Sequence, residues 1–293
     1  MCAALSSQEA MRAQVTIGFL GHFVKSSLQF WLDCLDKPAR GSFIARAKRS
    51  RALAQALDVG LLLADANDHF LDVVDEFTQG SLPNFALYAV VRGALEADAR
   101  ACWLAEPGLT DRERLARTLT IRADSLFEMR RLGLPPRSNL PPGVTPARHY
   151  VKRLRRVVAT ANRWKLIAKR RRDGRITFVD LPKATPLLVT LLPTEVDKIR
   201  YGNKVKRLSL GERTYGELSA RAHATSWALL HNVSSTRRID SFRQYGELNL
   251  DVLELIRLLG VAVSLHDEAI QRLALWAGRQ PQAWESVRGS IPW

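Results

Sequence analysis

The stretch YGELSARAHATSWALLH, from Tyr215 to His231, carries the residue types of an acid–base site, namely a serine, a glutamate and two histidines. In a helix Ser219 and His223 are four positions apart and lie on one face, among other small residues. Small residues permit another helix to approach closely, and the hydroxyl and imidazole groups then need hydrogen-bond partners. His223 is therefore the candidate acid or base, whereas His231 at the end of the helix is assigned only a capping or surface role.

Two other amphipathic segments carry charged residues on faces that are otherwise apolar. Arg92 and Glu96 are four positions apart and are neighbours on a helix, and Arg122 stands where an apolar residue is expected. A buried charge must be paired or hydrogen-bonded. We therefore expect Arg92, Glu96, Arg122, Ser219 and His223 to meet as a polar cluster, with His223 and Glu96 as the catalytic candidates.

This polar cluster has two interpretations, which the sequence leaves open. It is either a satisfied buried network that fixes the register of the helices or the lining of a binding or catalytic pocket. Ser219, His223 and Glu96 are also the residue types of a hydrolytic triad. However, a serine and a histidine on one helix, without an oxyanion turn, are a poor match to that arrangement.

Metal and nucleotide chemistry find little support in the sequence. Asp65, Asp68, His69 and Asp72 have helical spacing, but the chain lacks the Glu-x-x-His pairs of di-metal bundles, so a solvated acidic face is expected there. There is no GxGxxG, GxxxxGK[ST], HExxH or GxSxG motif. We expect no metal and no cofactor, and we expect His266, which lies on an apolar line, to be a hydrogen-bonded core histidine.

The densest charge lies between Arg148 and Arg175, which contains twelve Lys or Arg residues and one Asp. An apolar seam runs through the same segment, so we predict a helix that packs with one face and presents cations on the rest. Such a helix can lie along phosphates, and Tyr150 or Trp164 could stack on a base. The alternative is a solvated face that balances acidic helices elsewhere. The candidate polyanion-binding residues are Lys152, Arg153, Arg155, Arg156, Arg163, Lys169, Arg170, Arg171 and Arg172.

The composition is that of a folded protein with a basic surface. The chain has 293 residues, is 46% hydrophobic and carries a net charge of +15, which favours a polyanionic partner. Three widely spaced cysteines leave one unpaired under any disulfide scheme, so a reducing cytoplasm is expected. The apolar segment 15–35 is interrupted by charged residues and is predicted to be an amphipathic helix, not a membrane span.

Most of the start and stop signals in the sequence are those of helices, which would position these residues. Thr110 to Glu113 and Thr214 to Glu217 match the capping box, Thr145 precedes a proline, and Gly133 follows a helical period. Only ITFV at 176–179 is typical of a strand, and we interpret it as a connector. The predicted helices cover 45–77, 84–105, 111–132, 146–173, 194–207, 215–233 and 248–277.

The resulting prediction is an all-α protein, an antiparallel helical bundle with an extra N-terminal helix and a long C-terminal helix. The N-terminal helix and extension cover 1–44, the bundle 45–280 and a tail 281–293. Within the bundle we expect a loop at 133–146 and a basic helix at 147–173.

Two motifs resemble a group of uncharacterised, all-helical actinobacterial proteins that is distantly similar to the HEPN-like bundles. They are the pair VVRGALEADARACWLAEPGLTDRERLARTLTIR and YGELSARAHATSWAL, and the likeness spans about 45–280. The resemblance implies a HEPN-like helical bundle and a homodimer. The matching positions are Arg92, Glu96, Arg114, Arg117, Tyr215, Ser219 and His223.

The chain departs from the ribonuclease motif of the HEPN proteins, in which an arginine precedes a histidine with four to six residues between them. Nine residues separate Arg213 from His223, and no other histidine has an arginine at the required spacing. RNA cleavage therefore does not follow from the resemblance. We expect the protein to bind RNA or another polyanion through the basic helix. The alternative is a hydrolase or nuclease-like enzyme that acts on an anionic substrate around His223.

Overall fold

The computed structural model describes residues 7–79, 86–133, 145–201, 204–223, 233–238, 244–248 and 252–291, and most of them are helical. The helices are α1 (Ser7–Asp36), α2 (Phe43–Arg49), α3 (Val59–Thr78), α4 (Ala86–Leu104), α5 (Asp111–Arg131), α6 (Pro146–Arg163), α7 (Ala184–Leu191), α8 (Leu210–Ala222), α9 (Val252–Trp276) and α10 (Pro281–Gly289). A 3-10 helix, Leu53–Asp58, lies between α2 and α3. The predicted all-α class is thus confirmed as a mostly helical chain.

Three short antiparallel hairpins accompany the helices in the described residues. Their strands are β1 (Lys169–Arg170) with β2 (Ile176–Thr177), β3 (Glu195–Tyr201) with β4 (Lys204–Ser209), and β5 (Val233–Arg238) with β6 (Gln244–Leu248). Within the described part of the chain, no helix is both long and apolar enough to cross a bilayer.

The main core lies among four long helices that contact one another in a closed circuit, α1 with α3, α3 with α4, α4 with α9, and α9 with α1. The inward face of α1 carries Ile17, Leu20, Val24 and Trp31, all buried at helical spacing. Leu28, which the same spacing predicts to be buried, is 37% exposed. Trp284 of α10 is fully buried against the aromatic rings of α1. The first and last described helices therefore share one apolar core with the helices between them.

A second apolar cluster joins α5 and α6 to the segment that follows them. Leu119 of α5, Tyr150 and Val157 of α6, and Phe178 after β2 are buried in it. The Thr120 hydroxyl accepts a hydrogen bond from the Phe178 amide at 3.0 Å, which ties this segment to α5. The cluster holds α6 with one face inward and the opposite face in solvent.

The helix that carries the basic residues ends at Arg163, ten residues before the predicted end at 173. Trp164 caps it, Lys165 adopts φ +54°, and the Leu166 amide donates to the Ala161 carbonyl at 2.9 Å. This is the Schellman arrangement, which usually places glycine where Lys165 stands. Because the usual glycine is absent, no stop signal for the helix is visible at this point of the sequence. Residues 169–170 pair with 176–177, so the ITFV segment has a strand partner after all.

The helix predicted at 194–207 is wrong, because β3 and β4 occupy that segment. The register pairs Tyr201 with Lys204, so only two residues connect the strands. The intervening Gly-Asn dipeptide is a turn signal for a two-residue hairpin, and the valine and isoleucine residues around it favour strands. Helical periodicity was therefore the wrong template for this segment.

The start predicted for α8 at Thr214 is also wrong. The helix begins five residues earlier, where the Ser209 hydroxyl accepts from the Glu212 amide at 3.1 Å, and Thr214 is fully buried inside the helix. Two Ser/Thr-x-x-Glu patterns follow one another here, and the first one caps the helix. Gly211 packs so tightly against α7 that a Cβ atom would lie 2.2 Å from the carbonyl oxygen of Leu188.

Other predicted helix boundaries are confirmed. The Thr110 hydroxyl accepts from the Glu113 amide while the Glu113 carboxylate accepts from the Thr110 amide, which completes the capping box of α5. Thr145 caps α6 ahead of Pro146. Gly133 adopts φ +64° just after α5, the left-handed conformation expected there. Most of the predicted loop, 134–144, and the segment 224–232 with His231 lie outside the described residues.

Candidate functional site

Arg92 of α4 is the centre of a polar cluster between α4 and α8. Its Nε donates to Glu96 Oε1 at 2.9 Å, and its Nη2 donates to the Tyr215 hydroxyl at 3.0 Å. Its Nη1 lies 2.9 Å from Nε2 of His223. The Tyr215 hydroxyl in turn donates to Glu96 Oε1 at 3.2 Å, so three side chains close a ring of hydrogen bonds.

The spacing of these residues on α4 and α8, and the packing of the two helices, determine this geometry. Arg92 and Glu96 are one turn apart on α4, while Tyr215 and His223 are about two turns apart on α8. His223 caps the C-terminus of α8, and its amide donates to the Ser219 carbonyl at 3.0 Å. Because α4 packs against α8, the two pairs of side chains meet across the helix interface.

The cluster is partly open to solvent. The side chains of Arg92 and Glu96 are 22% and 25% exposed, and His223 is exposed. Although burial acts to lower it, the pKa of Arg92 is raised, because Tyr215 and Glu96 together outweigh the burial. Arg92 is therefore a permanent cation whose side chain is partly in solvent.

As a hydrogen bond, the contact between Arg92 and His223 requires one particular tautomer of the neutral imidazole. A guanidinium can only donate hydrogen bonds, so Nε2 of His223 accepts, and the ring proton of the neutral form lies on Nδ1. The Nε2 lone pair is occupied while this bond is made. His223 can act as a base through Nε2 only after Arg92 has moved to another acceptor, such as an anionic substrate.

The structure brings together Arg92, Glu96 and His223 but places Arg122 elsewhere. Arg122 Nε donates to Asp58 at 2.5 Å, and its Nη1 donates to Gln55 at 2.7 Å. The expected five-residue cluster is corrected at this position. A helical stripe shows which face of α5 is inward but not which element covers it, and here the 3-10 helix does so.

Tyr215 is the member of this cluster that sequence reasoning missed. The resemblance names it as a matching position, but the predicted polar cluster does not include it. Its phenol contacts two members of the cluster, and its ring lies under the Arg92 guanidinium at 5.0 Å. The available signal was its position eight residues before His223, which places both on similar faces of α8.

An ion-pair network borders the cluster where α8 meets α9. Glu217 accepts from Arg213 at 2.8 Å and also from Arg257, which binds Glu254 at 2.7 Å. Hydrogen bonding from Arg257 lowers the pKa of Glu254 to about 2. Arg221 reaches the same carboxylate at 3.5 Å. These cations are already neutralised by carboxylates of the chain.

The remaining arginines of the family likeness contact aromatic rings. Arg114 lies between the rings of Phe43 and Trp276, at 5.2 and 4.8 Å, and burial lowers its pKa to about 10. Arg117 lies over Trp103 and donates to its carbonyl at 2.5 Å. Both arginine side chains therefore pack between helices, against aromatic rings of neighbouring elements.

A sealed polar network crosses the main core, and it takes one residue from each of its four helices. His266 of α9 contacts Asp98 of α4 through Nδ1 at 2.8 Å and Ser27 of α1 through Nε2 at 3.0 Å. The Ser27 hydroxyl also lies 3.3 Å from Asn67 of α3. His266 is fully buried between Phe23 and Phe70, as predicted for a hydrogen-bonded core histidine.

This sealed network has the order of an Asp–His–Ser triad, but its three residues are fully buried. Burial is the main cause that raises the pKa of Asp98, even though His266 acts to lower it. Oδ2 of Asp98 and Nδ2 of Asn67 have no partner among the described residues. The arrangement therefore fixes helix register and offers no route to a substrate.

The basic surface is formed by α6 and the β1–β2 hairpin. Its cations are all exposed, and none of them forms an ion pair with a described residue. They are Arg148, Lys152, Arg153, Arg155, Arg156, Arg163, Lys165, Lys169, Arg170, Arg171 and Arg172. Arg175 differs, because it binds Asp124 and Glu128 at 2.5 Å each and Asp173 at 3.0 Å.

The aromatic residues of the basic segment are not free to stack on bases. Tyr150 is 3% exposed inside the α5–α6 cluster. Trp164 is half-buried and packs against both apolar clusters. The expected stacking role of these two residues is therefore corrected, because they complete the packing of α6.

No group of three or more His, Cys, Asp or Glu residues in the described part of the chain could hold a metal ion. Asp267 instead accepts hydrogen bonds from Trp284 at 2.6 Å and from Arg288 at 2.7 Å. No family model, curated protein or solved structure matches the chain.

Proposed function

We propose that the protein binds RNA or another polyanion through the basic surface of α6 and the β1–β2 hairpin. The supporting observation is that its eleven exposed cations form no ion pair with a described residue. Elsewhere the described arginines are often neutralised, as Arg175, Arg213 and Arg257 are. A cluster of uncompensated cations on one face is the electrostatic footprint of a polyanion site.

The rest of the chain strengthens this attraction. A net charge of +15 gives a positive field that raises the rate of encounter with a polyanion. The affinity itself comes from the counterions that are released when cations meet phosphates. Binding should therefore weaken steeply as the salt concentration rises.

A matched pair of charge-reversal variants tests the proposal by fluorescence anisotropy with a labelled 20-nucleotide RNA. The test variant is Lys152→Glu, Arg155→Glu and Arg163→Glu. The control reverses three exposed cations of α1 and the segment that follows it, Lys25→Glu, Lys37→Glu and Arg40→Glu, for the same change in net charge. We expect the test variant to weaken binding about tenfold or more and the control to weaken it much less. Equal losses in the two variants would assign the effect to net charge alone.

The proposal includes the scaffold and its assembly. We propose an antiparallel HEPN-like bundle that forms a homodimer in the cytoplasm, on the basis of the resemblance at Arg92, Glu96, Tyr215 and His223. The circuit of four helices is compatible with such a bundle. Light scattering after size exclusion should give twice the chain mass of 32.9 kDa, and a monomer at micromolar concentration would reject the dimer.

The second candidate function is that of a hydrolase or nuclease-like enzyme acting on an anionic substrate around His223. The specific observation in its favour is the partly exposed Arg92, whose guanidinium holds Nε2 of His223. An anion that binds Arg92 would release the imidazole, and His223 could then accept a proton from water or a hydroxyl. Glu96 and Tyr215, which accept hydrogen bonds from Nε and Nη2 of Arg92, would keep it within the site after its contact with His223 is lost.

A cleavage assay separates the two functions. If the protein is an enzyme, His223→Gln should abolish turnover of labelled RNA without changing the helical circular dichroism. His22→Gln is the matched control, because His22 is exposed on α1. Wild-type protein that binds RNA but leaves it intact, or equal turnover in both variants, would reject catalysis by His223.

A further inference from the structure

The exposed face of α6 carries a straight row of cations, which we call the cationic row and define as Arg148, Lys152, Arg155, Arg156 and Arg163. With about 100° of rotation per residue, these positions fall within roughly 100° of one another. They lie opposite the buried positions Tyr150, Val157 and Ala161. The row spans roughly 22 Å along the helix at 1.5 Å per residue.

The cationic row is held in place by the scaffold. The buried face of α6 packs on α5, and Thr145 and Trp164 cap the two ends of the helix. The helix contains no acidic residue, so none of its own side chains competes for the cations. The helix therefore presents an uncompensated line of positive charge on a fixed backbone.

The same face lacks exposed aromatic side chains on which bases could stack. Between residues 147 and 173 no exposed side chain is aromatic, because Tyr150 and Trp164 are packed inward. Proteins that bind single strands depend on aromatic platforms, which contribute stacking on each base. A flexible single strand bound here would have to be ordered without that contribution.

A duplex meets these properties better than a single strand. It carries one negative charge per about 1.7 Å of axis, and its phosphates are already fixed in space. A row of cations on a fixed helix can then neutralise several phosphates without ordering the backbone of either partner. Granted the polyanion binding proposed above, we infer that the partner is double-stranded nucleic acid, held by its phosphates without readout of its sequence.

The test measures anisotropy with the full-length protein and four ligands across a salt series. The ligands are two RNA duplexes of 20 base pairs with unrelated sequences, and oligo(U) and oligo(A) of 20 nucleotides. We expect the duplexes to bind within about twofold of each other and at least tenfold more tightly than either single strand. The slope of log K against log salt is negative, and the triple reversal of Lys152, Arg155 and Arg163 should reduce its magnitude by about 2.7, for three lost contacts.

Results that differ from these expectations would contradict either the duplex inference or the proposed function. Tighter binding of a single strand, or a preference of tenfold or more between oligo(U) and oligo(A), would overturn the duplex inference while polyanion binding stands. Displacement of the duplex by vesicles containing one-third phosphatidylserine, at equal phosphate concentration, would reassign the surface to a membrane. Failure to bind any of the four ligands at 20 mM salt would refute the proposed function itself.

Discussion

Replacing His266 by leucine should be among the most destabilising single changes in the chain. The substitution removes the contacts to Asp98 at 2.8 Å and to Ser27 at 3.0 Å, both in a sealed core. Asp98 then has no partner for either oxygen, because its Oδ2 is already unpaired. Breaking a buried pair in this way costs about 3–5 kcal/mol, whereas the transfer of leucine into the core returns only part of it.

Urea unfolding followed by circular dichroism measures this loss as a shift of the midpoint. The matched control is His22→Leu on the exposed face of α1, which should change the free energy of unfolding by less than about 0.5 kcal/mol. A loss below about 1 kcal/mol in His266→Leu would refute the description of the network as a hydrogen-bonded unit. A fully unfolded variant would agree with it, provided that the control folds.

Three further predictions concern stability. Burial raises the pKa of Asp98, so the folded state keeps the proton of this carboxyl group to higher pH than the unfolded chain does. The free energy of unfolding of the wild type, relative to that of Asp98→Asn, should therefore fall as pH rises from about 4 upward. Urea titrations at several pH values measure this difference, and a difference that rises with pH would contradict the prediction. Gly211→Ala would place a Cβ 2.2 Å from the Leu188 carbonyl and should cost about 1–3 kcal/mol, whereas Gly216→Ala, on the exposed side of the same helix, should gain up to about 1 kcal/mol, both measured by urea unfolding. Thr110→Ala removes the capping box of α5 and should cost about 1 kcal/mol in the same assay, and no change would show that the cap is dispensable.

The sequence predicted the long helices well because their signals are local. The capping box at Thr110, the proline after Thr145 and the glycine at 133 each act through neighbouring backbone groups, and the structure has all three as predicted. Helical spacing likewise identified the buried face of α1, apart from Leu28, which is exposed. Failures occurred where the deciding contact was less usual, as at Lys165, whose left-handed conformation ends α6 without a glycine.

The polar residues show why a site is harder to predict than a helix. Arg92 and Glu96 were found because they are four positions apart on one helix. Arg122 was misplaced because its partner, Asp58, lies 64 positions away on an element that the sequence merged into a longer helix. Asp98 was missed as the partner of His266, because long-range pairing leaves no periodic signal in a single sequence.

The four-helix polar network also has a consequence for the time course of folding. Ser27 and His266 are separated by 239 positions, so the ribosome must add that many residues after Ser27 before its hydrogen-bond partner is synthesised. At about 5–20 residues per second the delay is roughly ten seconds to a minute. Throughout that interval the inward faces of α1, α3 and α4 have no α9 to cover them. The nascent chain should therefore be a good client for chaperones that bind exposed apolar helices, and it should become resistant to protease only after α9 has emerged from the ribosome.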